Sequence, residues 1–389
     1  MTTNKNHNSP NVPNSTDRGN VIRNVPVLRF PEFTEEWVNV SLKDVADFQK
    51  ERISSGLLDE STYISTENIL QNFQGVQSAI SIPANTNVVA YKKNDILLSN
   101  IRPYLKKVWF SDKIGGCSAD VFVLRSKTCE PEFLYNVIAS DKFINYVMSG
   151  VKGVKMPRGD KNQMESFSFS IPAVAEQRKI SQLFQLLDER IATQNKIIED
   201  LKKLKSAISL KMLHSDSWEQ FKIKDIASIG RGRVISSIEI SQQENPLYPV
   251  YSSQTSNEGI MGYLDNFMFE GEYISWTTDG ANAGTVFYRN GKFNCTNVCG
   301  LLKLRNGFDT HFVSLVLSEA TKKYVSINLA NPKLMNNTMG NIQIRLPKFE
   351  EQKRISIIFK KLQELLDVQK HLLCKYSKQK QYLLHQMFI

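Results

Sequence analysis

Apolar residues recur at alternating spacings of four and three along two long stretches of the chain, the pattern of a coiled-coil helix. Roughly 35 residues in each stretch, at 1.5 Å per residue, predict rods about 50 Å long. The first seam comprises Ile180, Phe184, Leu187, Ile191, Gln194, Ile198 and Leu201, and continues through Lys205. The second comprises Ile355, Phe359, Leu362, Leu366, Gln369, Leu373 and Tyr376, and continues through Lys380.

The two stretches are copies of one another. Pro172 aligns with Pro347, an offset of 175 (347 − 172), and 12 of the 42 positions from there to Leu213 and Phe388 are identical. The polar interruptions of the seam recur at the same offset. The chain is therefore predicted to be a tandem of two units, each a divergent globular part followed by a similar long helix.

The polar seam positions predict how the helices pair. In a parallel pair in register, Lys205 would face Lys380 in a dry seam, a costly contact between like charges. In an antiparallel pair Lys205 lies near Ile355 and Phe359, its ammonium reaching solvent at the end of the rod, and the seam glutamines meet near the middle. We predict an antiparallel coiled coil with pseudo-twofold symmetry. The alternative is two unrelated amphipathic core helices.

Short β-rich runs alternate with turns in each globular part, so the fold class is predicted to be α+β. The predicted strands are 88–91, 96–98, 108–110 and 121–124 in the first part, and 248–251, 273–276 and 285–288 in the second; the predicted helices are 131–148 and 310–325. The predicted segments are a disordered tail at 1–24, globular domains at 25–172 and 215–347, and coiled-coil helices at 173–214 and 348–389.

Composition narrows the class of protein. The 389 residues are 41% hydrophobic without a run of about 18 apolar residues, which excludes a predicted transmembrane helix. The Asn- and Pro-rich first 24 residues are not expected to be a signal peptide, and five cysteines fit a reducing cytoplasm. The net charge of +10 raises nucleic acid as a partner. The two long helices carry eight of those ten charges, however, so bulk charge alone does not establish DNA binding.

Local basic clusters are the stronger indication. Cations flanked by glycine or proline can approach a phosphate backbone closely, although each cluster also fits an ordinary solvated surface loop. The clusters are Arg102, Lys106 and Lys107 around Pro103; Lys155, Arg158 and Lys161 around Gly153 and Gly159; and Arg231 with Arg233 in a Gly-Arg-Gly-Arg run.

No catalytic pattern is recognisable in the sequence. The chain has neither a Gly-x-Gly-x-x-Gly motif after a strand nor a Gly-Lys-Ser/Thr phosphate loop. Asn331-Pro332-Lys333 lacks the second proline and the aromatic residue of an adenine methyltransferase motif. Cys295 and Cys299 have no partners at metal-ligand spacing, so no metal site is predicted.

Several motifs resemble, in the same order, those of the specificity (S) subunit of type I restriction-modification enzymes. They are the run 29–33 with Trp37, the run 95–103, the runs 248–253 and 278–284, and the Pro-x-x-x-Glu-Gln start of each long helix. The resemblance implies two target-recognition domains, each reading one half of a split DNA sequence. It also implies no chemistry and no cofactor in this chain. Two modification subunits would bind S-adenosylmethionine and methylate adenine, and restriction subunits would use ATP and Mg²⁺.

Side chains that reach base edges should then set specificity. In the second domain the candidates are Ser252, Ser253, Gln254, Thr255, Asn257, Thr277, Thr278, Asp279 and Asn282. In the first they are Asn100, Arg102, Lys106, Lys107, Lys155, Arg158 and Lys161. Because the globular parts diverge, the target is predicted to be asymmetric, and the rods limit half-site centres to about 15 base pairs apart at 3.4 Å per pair.

The outer faces of the helices are predicted to dock the modification subunits, through apolar residues off the seam: Leu183, Leu204, Leu210, Ile358 and Leu372. The expected partners are therefore double-stranded DNA and the modification and restriction subunits, with no membrane. A function of another class fits the seam and the repeat equally well: a non-catalytic coiled-coil adaptor joining two protein-binding domains. An autonomous nuclease is disfavoured because no acidic metal-binding cluster is apparent.

Overall fold

A computed structural model of the chain describes residues 24–151, 153, 155–326 and 331–388. The predicted tail at 1–24 lies outside the described residues, apart from Asn24. The chain divides into two compact units: unit 1 is Met1–Thr193 with Leu373–Ile389, and unit 2 is Gln194–Leu372. Each long helix contributes one stretch to each unit.

Unit 1 is a mixed α+β unit. Its strands are β1 (Val38–Ser41), β2 (Ala46–Phe48), β3 (Arg52–Ser54), β4 (Tyr63–Ile64), β5 (Asn87–Tyr91), β6 (Ile96–Ser99), β7 (Val108–Phe110), β8 (Gly115–Cys117), β9 (Val121–Ser126) and β10 (Ser168–Ile171). Its helices are α1 (Leu42–Val45), α2 (Pro131–Ile138), α3 (Asp141–Ser149), α4 (Lys161–Glu165) and the first part of α5 (Val174–Met212). The strands form a β2-β9-β6-β7 sheet, a β3-β5-β8-β4 sheet and a β1-β10 pair.

Unit 2 repeats most of this plan. Its strands are β11 (Glu219–Lys222), β12 (Ala227–Arg231), β13 (Tyr248–Tyr251), β14 (Ile260–Leu264), β15 (Phe269–Glu270), β16 (Tyr273–Thr277), β17 (Val286–Arg289), β18 (Lys292–Cys295), β19 (Cys299–Leu304) and β20 (Gln343–Leu346). Its helices are α6 (Ile223–Ile226), α7 (Ser237–Ser241), α8 (Thr310–Ala320), α9 (Asn336–Asn341) and part of α10 (Phe349–Met387). The sheets are β12-β19-β16-β17, β14-β13-β18-β15 and the β11-β20 pair.

The mixed fold and the predicted strands are confirmed, and both predicted helices need correction. The helix predicted over 131–148 is two helices, α2 and α3, because the Ser140 hydroxyl caps a new helix by accepting from the Phe143 N–H (3.2 Å). The helix predicted over 310–325 ends at Ala320, and a single 3₁₀ turn follows it. Amphipathic spacing continues across both boundaries, so periodicity alone does not reveal them.

The glutamine of the repeated Glu-Gln pair fixes the start of each long helix to the globular part that precedes it. The Gln177 side chain accepts from the Glu130 N–H ahead of α2 (2.9 Å) and donates to the Pro172 carbonyl (2.8 Å). Gln352 does the same with the Asp309 N–H ahead of α8 (2.9 Å) and the Pro347 carbonyl (2.8 Å). The motif is therefore an anchor made from buried amides.

In unit 1 the pairing of the long helices is antiparallel, as predicted. Asp188 contacts Lys380, with carboxylate–ammonium distances of 2.6 and 2.8 Å, while Arg190, further along α5, lies over the Tyr376 ring, earlier in α10. The Lys380 side chain is buried, and the Asp188 carboxylate compensates its charge.

In unit 2 the same antiparallel direction holds. Gln194 donates to the Gln369 side chain, and Lys205 donates to the Gln363 Oε1 (2.7 Å). The Lys205 side chain is half-buried rather than fully exposed: its ammonium donates to this amide, and burial lowers its pKa. The seam residues are buried or half-buried throughout, which confirms the heptad prediction. None of the described helices is both long and apolar enough to cross a membrane.

Candidate nucleic-acid interface

In unit 1 the backbone brings two of the predicted basic clusters side by side. The chain leaves β6 and passes through Asn100, whose N–H donates to the Asp120 carbonyl (2.8 Å). Ile101 forms a β-bridge with Arg158, and the Arg102 N–H donates to the Pro157 carbonyl (2.8 Å). The 100–107 loop and the 155–161 loop therefore form one surface.

The cations on this surface differ in their availability to a phosphate. Arg102 is exposed, its backbone is left-handed (φ 51°), and no carboxylate of the described residues lies within ion-pair distance of its guanidinium. Lys155 is likewise exposed. Arg158 pairs with Asp120 (2.6 Å). Exposed ion pairs are worth little and can exchange for a phosphate, so Arg158 stays a candidate.

The remaining predicted cations of unit 1 are held in place. Lys106 is paired with Asp141, and Lys161 is paired with Glu165 (3.3 Å) and lies over the Phe48 ring. The Lys107 ammonium donates to the Thr66 carbonyl, and burial lowers its pKa. Lys107 therefore holds the neighbouring 65–68 loop in place, and its ammonium is not free in solvent.

That 65–68 loop is absent from the sequence-based candidates. It follows β4, which pairs in parallel with β8 through Ile64 and Cys117, and the Ser118 N–H donates to the Ile64 carbonyl (2.8 Å). Asn68 is buried and holds the loop by donating to the carbonyls of Tyr63 and Gln77 (both 3.1 Å). A cavity of about 390 Å³ opens beside it, lined in part by Thr66, Glu67, Ser118 and Asp120.

In unit 2 the 252–259 loop, which carries the candidates from Ser252 to Asn257, follows β13, a strand that also has a parallel partner. The Ser252 N–H donates to the Gly259 carbonyl (2.8 Å), and Gln254 donates to the Ile260 carbonyl. Asn257 (φ 49°) and Glu258 (φ 53°) take the left-handed backbone that follows from such a tight loop. Within this loop Thr255 and Asn257 are exposed, while Ser252, Ser253 and Gln254 are half-buried.

Arg289 supports the 252–259 loop from below. Its guanidinium is stacked over the Tyr251 ring (3.6 Å to the centroid) and near the Phe287 ring (4.4 Å). It donates to the Ser275 hydroxyl (3.0 Å) and to the Glu258 carbonyl (2.8 Å). Arg289 is only 4% exposed, and burial lowers its pKa. Sequence reasoning missed this residue because nothing in the pattern separates it from an exposed strand arginine.

The structure corrects two of the predicted base contacts in the 277–282 loop. Thr277 and Thr278 are 1% and 0% exposed, and the Thr278 hydroxyl is bonded to the Val298 carbonyl (3.0 Å) and to Asp279 (2.8 Å). Both threonines belong to the interior, so Asp279 and Asn282, which are half-buried, are the candidates of this run that stay accessible.

Arg231 and Arg233 lie at the edge of the same surface, at and just past the end of β12. Arg231 is exposed and donates to the Asn336 side chain (3.0 Å). Arg233 makes a two-fold pair with Glu239, which raises the pKa of the guanidinium. Gly232 lies between them because a Cβ at this position would be 1.9 Å from the Cys295 carbonyl oxygen.

The two units build these surfaces with equivalent backbone bonds. The Thr278 N–H donates to the Val298 carbonyl, Asp279 forms a β-bridge with Lys333, and the Gly280 N–H donates to the Pro332 carbonyl (both bonds 3.0 Å). These match the bonds of Asn100, Ile101 and Arg102 in unit 1. The 65–68 loop and the 252–259 loop each follow a strand that has a parallel partner, β4 with β8 and β13 with β18.

Lys333 is thereby the counterpart of Arg158, and sequence reasoning missed it. Pro157-Arg158 and Pro332-Lys333 are separated by the same offset of 175 as the long helices (333 − 158). The ungapped alignment therefore extends upstream of Pro172, and that signal was available in the sequence. Lys333 lies 4.0 Å from the Asp279 carboxylate.

Comparison with known proteins agrees with this arrangement. A family model described as the type I restriction modification DNA specificity domain matches residues 34–203 and again residues 215–375. A Mycoplasma pneumoniae protein named as the N-terminus of a type I specificity subunit is 45% identical over 139 residues, which are 36% of this chain and 74% of that protein.

Two further relatives show the limits of the similarity. The specificity subunit of type I restriction enzyme MpnII, also from M. pneumoniae, is 43% identical over 143 residues, 36% of this chain and 42% of that protein, so less than two thirds of its length is spanned. A crystal structure of a type I restriction-modification S subunit from M. genitalium shares the fold, with a TM-score of 0.67 at 17% identity over 94% of this chain and 99% of that one. Because the family model matches most of the chain in two tandem copies, the chain belongs to the type I restriction-modification DNA specificity family, which confirms the resemblance of its sequence motifs.

Proposed function

We propose that this chain selects the DNA on which a type I complex acts, and that each unit reads one half of a two-part, asymmetric target. The observation that carries the proposal is the doubled loop framework: equivalent backbone bonds in both units present different side chains. Arg102 and Arg158 in unit 1 stand where Gly280 and Lys333 stand in unit 2. Equivalent geometry with unlike side chains suits two different DNA words read in the same manner.

Phosphate contacts would position each unit, and polar loop residues would read bases. In unit 1 the exposed Arg102 and Lys155 serve the backbone, with Arg158 able to exchange its carboxylate partner for a phosphate. In unit 2 Arg231 and Lys333 take that place, beside the exposed Thr255 and Asn257. Asparagine can pair with adenine through both its amide atoms, which makes Asn257 the strongest base-reading candidate of unit 2.

The long helices carry the surface for the modification subunits in this proposal. Leu204, Leu210 and Ile358 are exposed as predicted, whereas Leu183 and Leu372 are half-buried, Leu183 against the unit 1 core. Unit 2 adds apolar residues that sequence reasoning did not select: Ile197, Ile357, Leu365 and Val368. Exposed apolar side chains in such number on one helix pair are typical of a protein interface.

In this proposal the catalytic reactions belong to the partner subunits. The specificity subunit is the non-catalytic member of a type I complex. S-adenosylmethionine would bind the two modification subunits, and ATP and Mg²⁺ the restriction subunits. The chain would then act in the cytoplasm, where the DNA substrate lies.

Co-expression with the cognate modification subunit, followed by genome-wide mapping of N6-methyladenine, tests the proposal. We expect methylation within a word of two unlike halves separated by a fixed number of unspecified bases. An uninterrupted word, or two identical halves, would contradict it. A coiled-coil adaptor would neither co-purify with an adenine methyltransferase nor bind DNA in a sequence-dependent, salt-sensitive manner, so a pull-down distinguishes that alternative.

A further inference from the structure

Glu67 is the third residue after β4, in the 65–68 loop that matches the 252–259 loop of unit 2. Its carboxylate is exposed at the rim of the 390 Å³ cavity, and no cation of the described residues lies within ion-pair distance of it. The loop that carries it is held on both sides, by the Lys107 ammonium on the Thr66 carbonyl and by the buried Asn68 amide. The position of Glu67 is therefore fixed by its neighbours, while its side chain is left available.

A carboxylate on a DNA-facing surface works against affinity, because it repels phosphates that the nearby cations attract. The other carboxylate of this cavity, Asp120, is compensated by Arg158 (2.6 Å). Glu67 makes no such ion pair: the Lys107 ammonium, bonded to the Thr66 carbonyl, acts on it only at longer range. A donor supplied by the ligand would give this carboxylate the direct hydrogen bond that it lacks. On a DNA duplex the donors in the major groove are the exocyclic amino groups of bases.

We infer that Glu67 determines specificity in unit 1, by accepting a hydrogen bond from a base amino group, cytosine N4 in the first place, in the half-site that unit 1 reads. The inference rests on the proposed function and names the chemistry of one contact within it. Glutamate and aspartate accept from cytosine N4 in the geometry of the major groove. The repulsion of phosphates is then the cost of discrimination between bases.

The equivalent place in unit 2 shows that this contact is not a property of the framework. The third residue after β13 is Gln254, an amide whose nitrogen donates to the Ile260 carbonyl within its own loop. Unit 2 thus has no unpaired carboxylate at this point. A substitution at Glu67 should alter one half of the target and leave the other unchanged.

The test is the methylation map of the full complex carrying Glu67→Gln. The substitution keeps the shape and removes the charge, at an exposed site where folding is not at stake. Glu36→Gln, an exposed glutamate of unit 1 outside this surface, is the matched control, and Asn257→Ala identifies the half that unit 2 reads. We expect discrimination at one base position of the other half to fall by about tenfold, while binding to non-specific DNA stays equal or becomes tighter.

An unchanged map with Glu67→Gln overturns the inference. So does a change confined to the half that Asn257→Ala alters, or a uniform loss of methylation in a complex whose thermal unfolding matches the wild type. If the wild-type complex itself gives no two-part word, it is the proposed function that fails. If the wild-type complex gives a two-part word and the Glu67→Gln complex methylates the same word with the same discrimination, only this inference fails.

Discussion

Lowering the pH should decrease the free energy of unfolding of unit 2 because of one histidine. His311, in α8, has its Nδ1 2.9 Å from the Ser356 hydroxyl on α10 and its ring edge-on to Tyr288. Burial, and next the charge of Lys360, lower the pKa of His311 from 6.5 to about 4. Folded unit 2 therefore contains a neutral imidazole where the unfolded chain would contain an imidazolium at pH 5.

The magnitude follows from the difference between the two pKa values. Above pH 6.5 both states hold the neutral ring, so the stability is fully present. Between pH 6.5 and about 4 the unfolded state binds the extra proton, and stability falls as the pH falls. At about 1.4 kcal/mol per pH unit, less some screening because the ring is partly exposed, the loss is about 2–3 kcal/mol.

Denaturant unfolding of the full chain at pH 7.5 and 4.5, read by hydrogen exchange in peptides of α8, measures this loss. His311→Gln keeps a hydrogen-bonding side chain but cannot take up the proton, so it should lose about 2–3 kcal/mol less than the wild type over that range. His371→Gln, at an exposed histidine of the same unit, is the control. All three proteins carry the same carboxylates, so a difference between their losses is assigned to the substituted histidine. Equal losses in the wild type and His311→Gln would refute the reasoning.

Three other outcomes follow from contacts described above. Arg102→Ala should weaken DNA binding of the assembled complex roughly three- to tenfold at moderate salt and reduce the salt slope by about 1, as measured by anisotropy titrations; unchanged affinity would remove it from the interface. Arg289→Met should speed hydrogen exchange in the 252–259 loop and reduce base discrimination in the half of the target that unit 2 reads. Unchanged exchange rates in this loop would show that the guanidinium is not needed to hold it. Asp188→Asn should cost unit 1 about 1–2 kcal/mol, since Lys380 stays buried; chemical denaturation that gives equal or higher stability would contradict the charge argument.

The long helices were predictable because a heptad is a local, repeated signal, and the repeat supplied it twice. The same signal predicted antiparallel pairing through the seam lysines, Lys205 and Lys380, which would face each other in a parallel pair. It could not supply the partner of Lys380, since Asp188 lies just off the seam and pairs only once the helices are placed. Strand cores such as β7 and β13 were predicted to the residue for a similar reason, as compact apolar runs bounded by turns.

The interface was predicted less completely, because it depends on which strands become neighbours. The 65–68 loop becomes a candidate only when β4 is seen to pair in parallel with β8, a contact between residues about fifty positions apart. Thr277 and Thr278 look like surface polar residues in sequence, and only the sheet places their hydroxyls in the interior. Arg289 likewise depends on tertiary stacking.

The bonds that join the loops of each surface are made almost entirely by main-chain N–H and carbonyl groups. Such bonds survive the replacement of one amino acid by another, so residues at the loop tips can vary through descent without unfolding the domain. Substitutions at these tips would change the recognised DNA sequence while the fold that carries the loops stays the same. Among the described side chains, Lys107 and Asn68 in one unit and Gln254 and Arg289 in the other hold a loop in its present path, and they set the boundary of that evolutionary latitude.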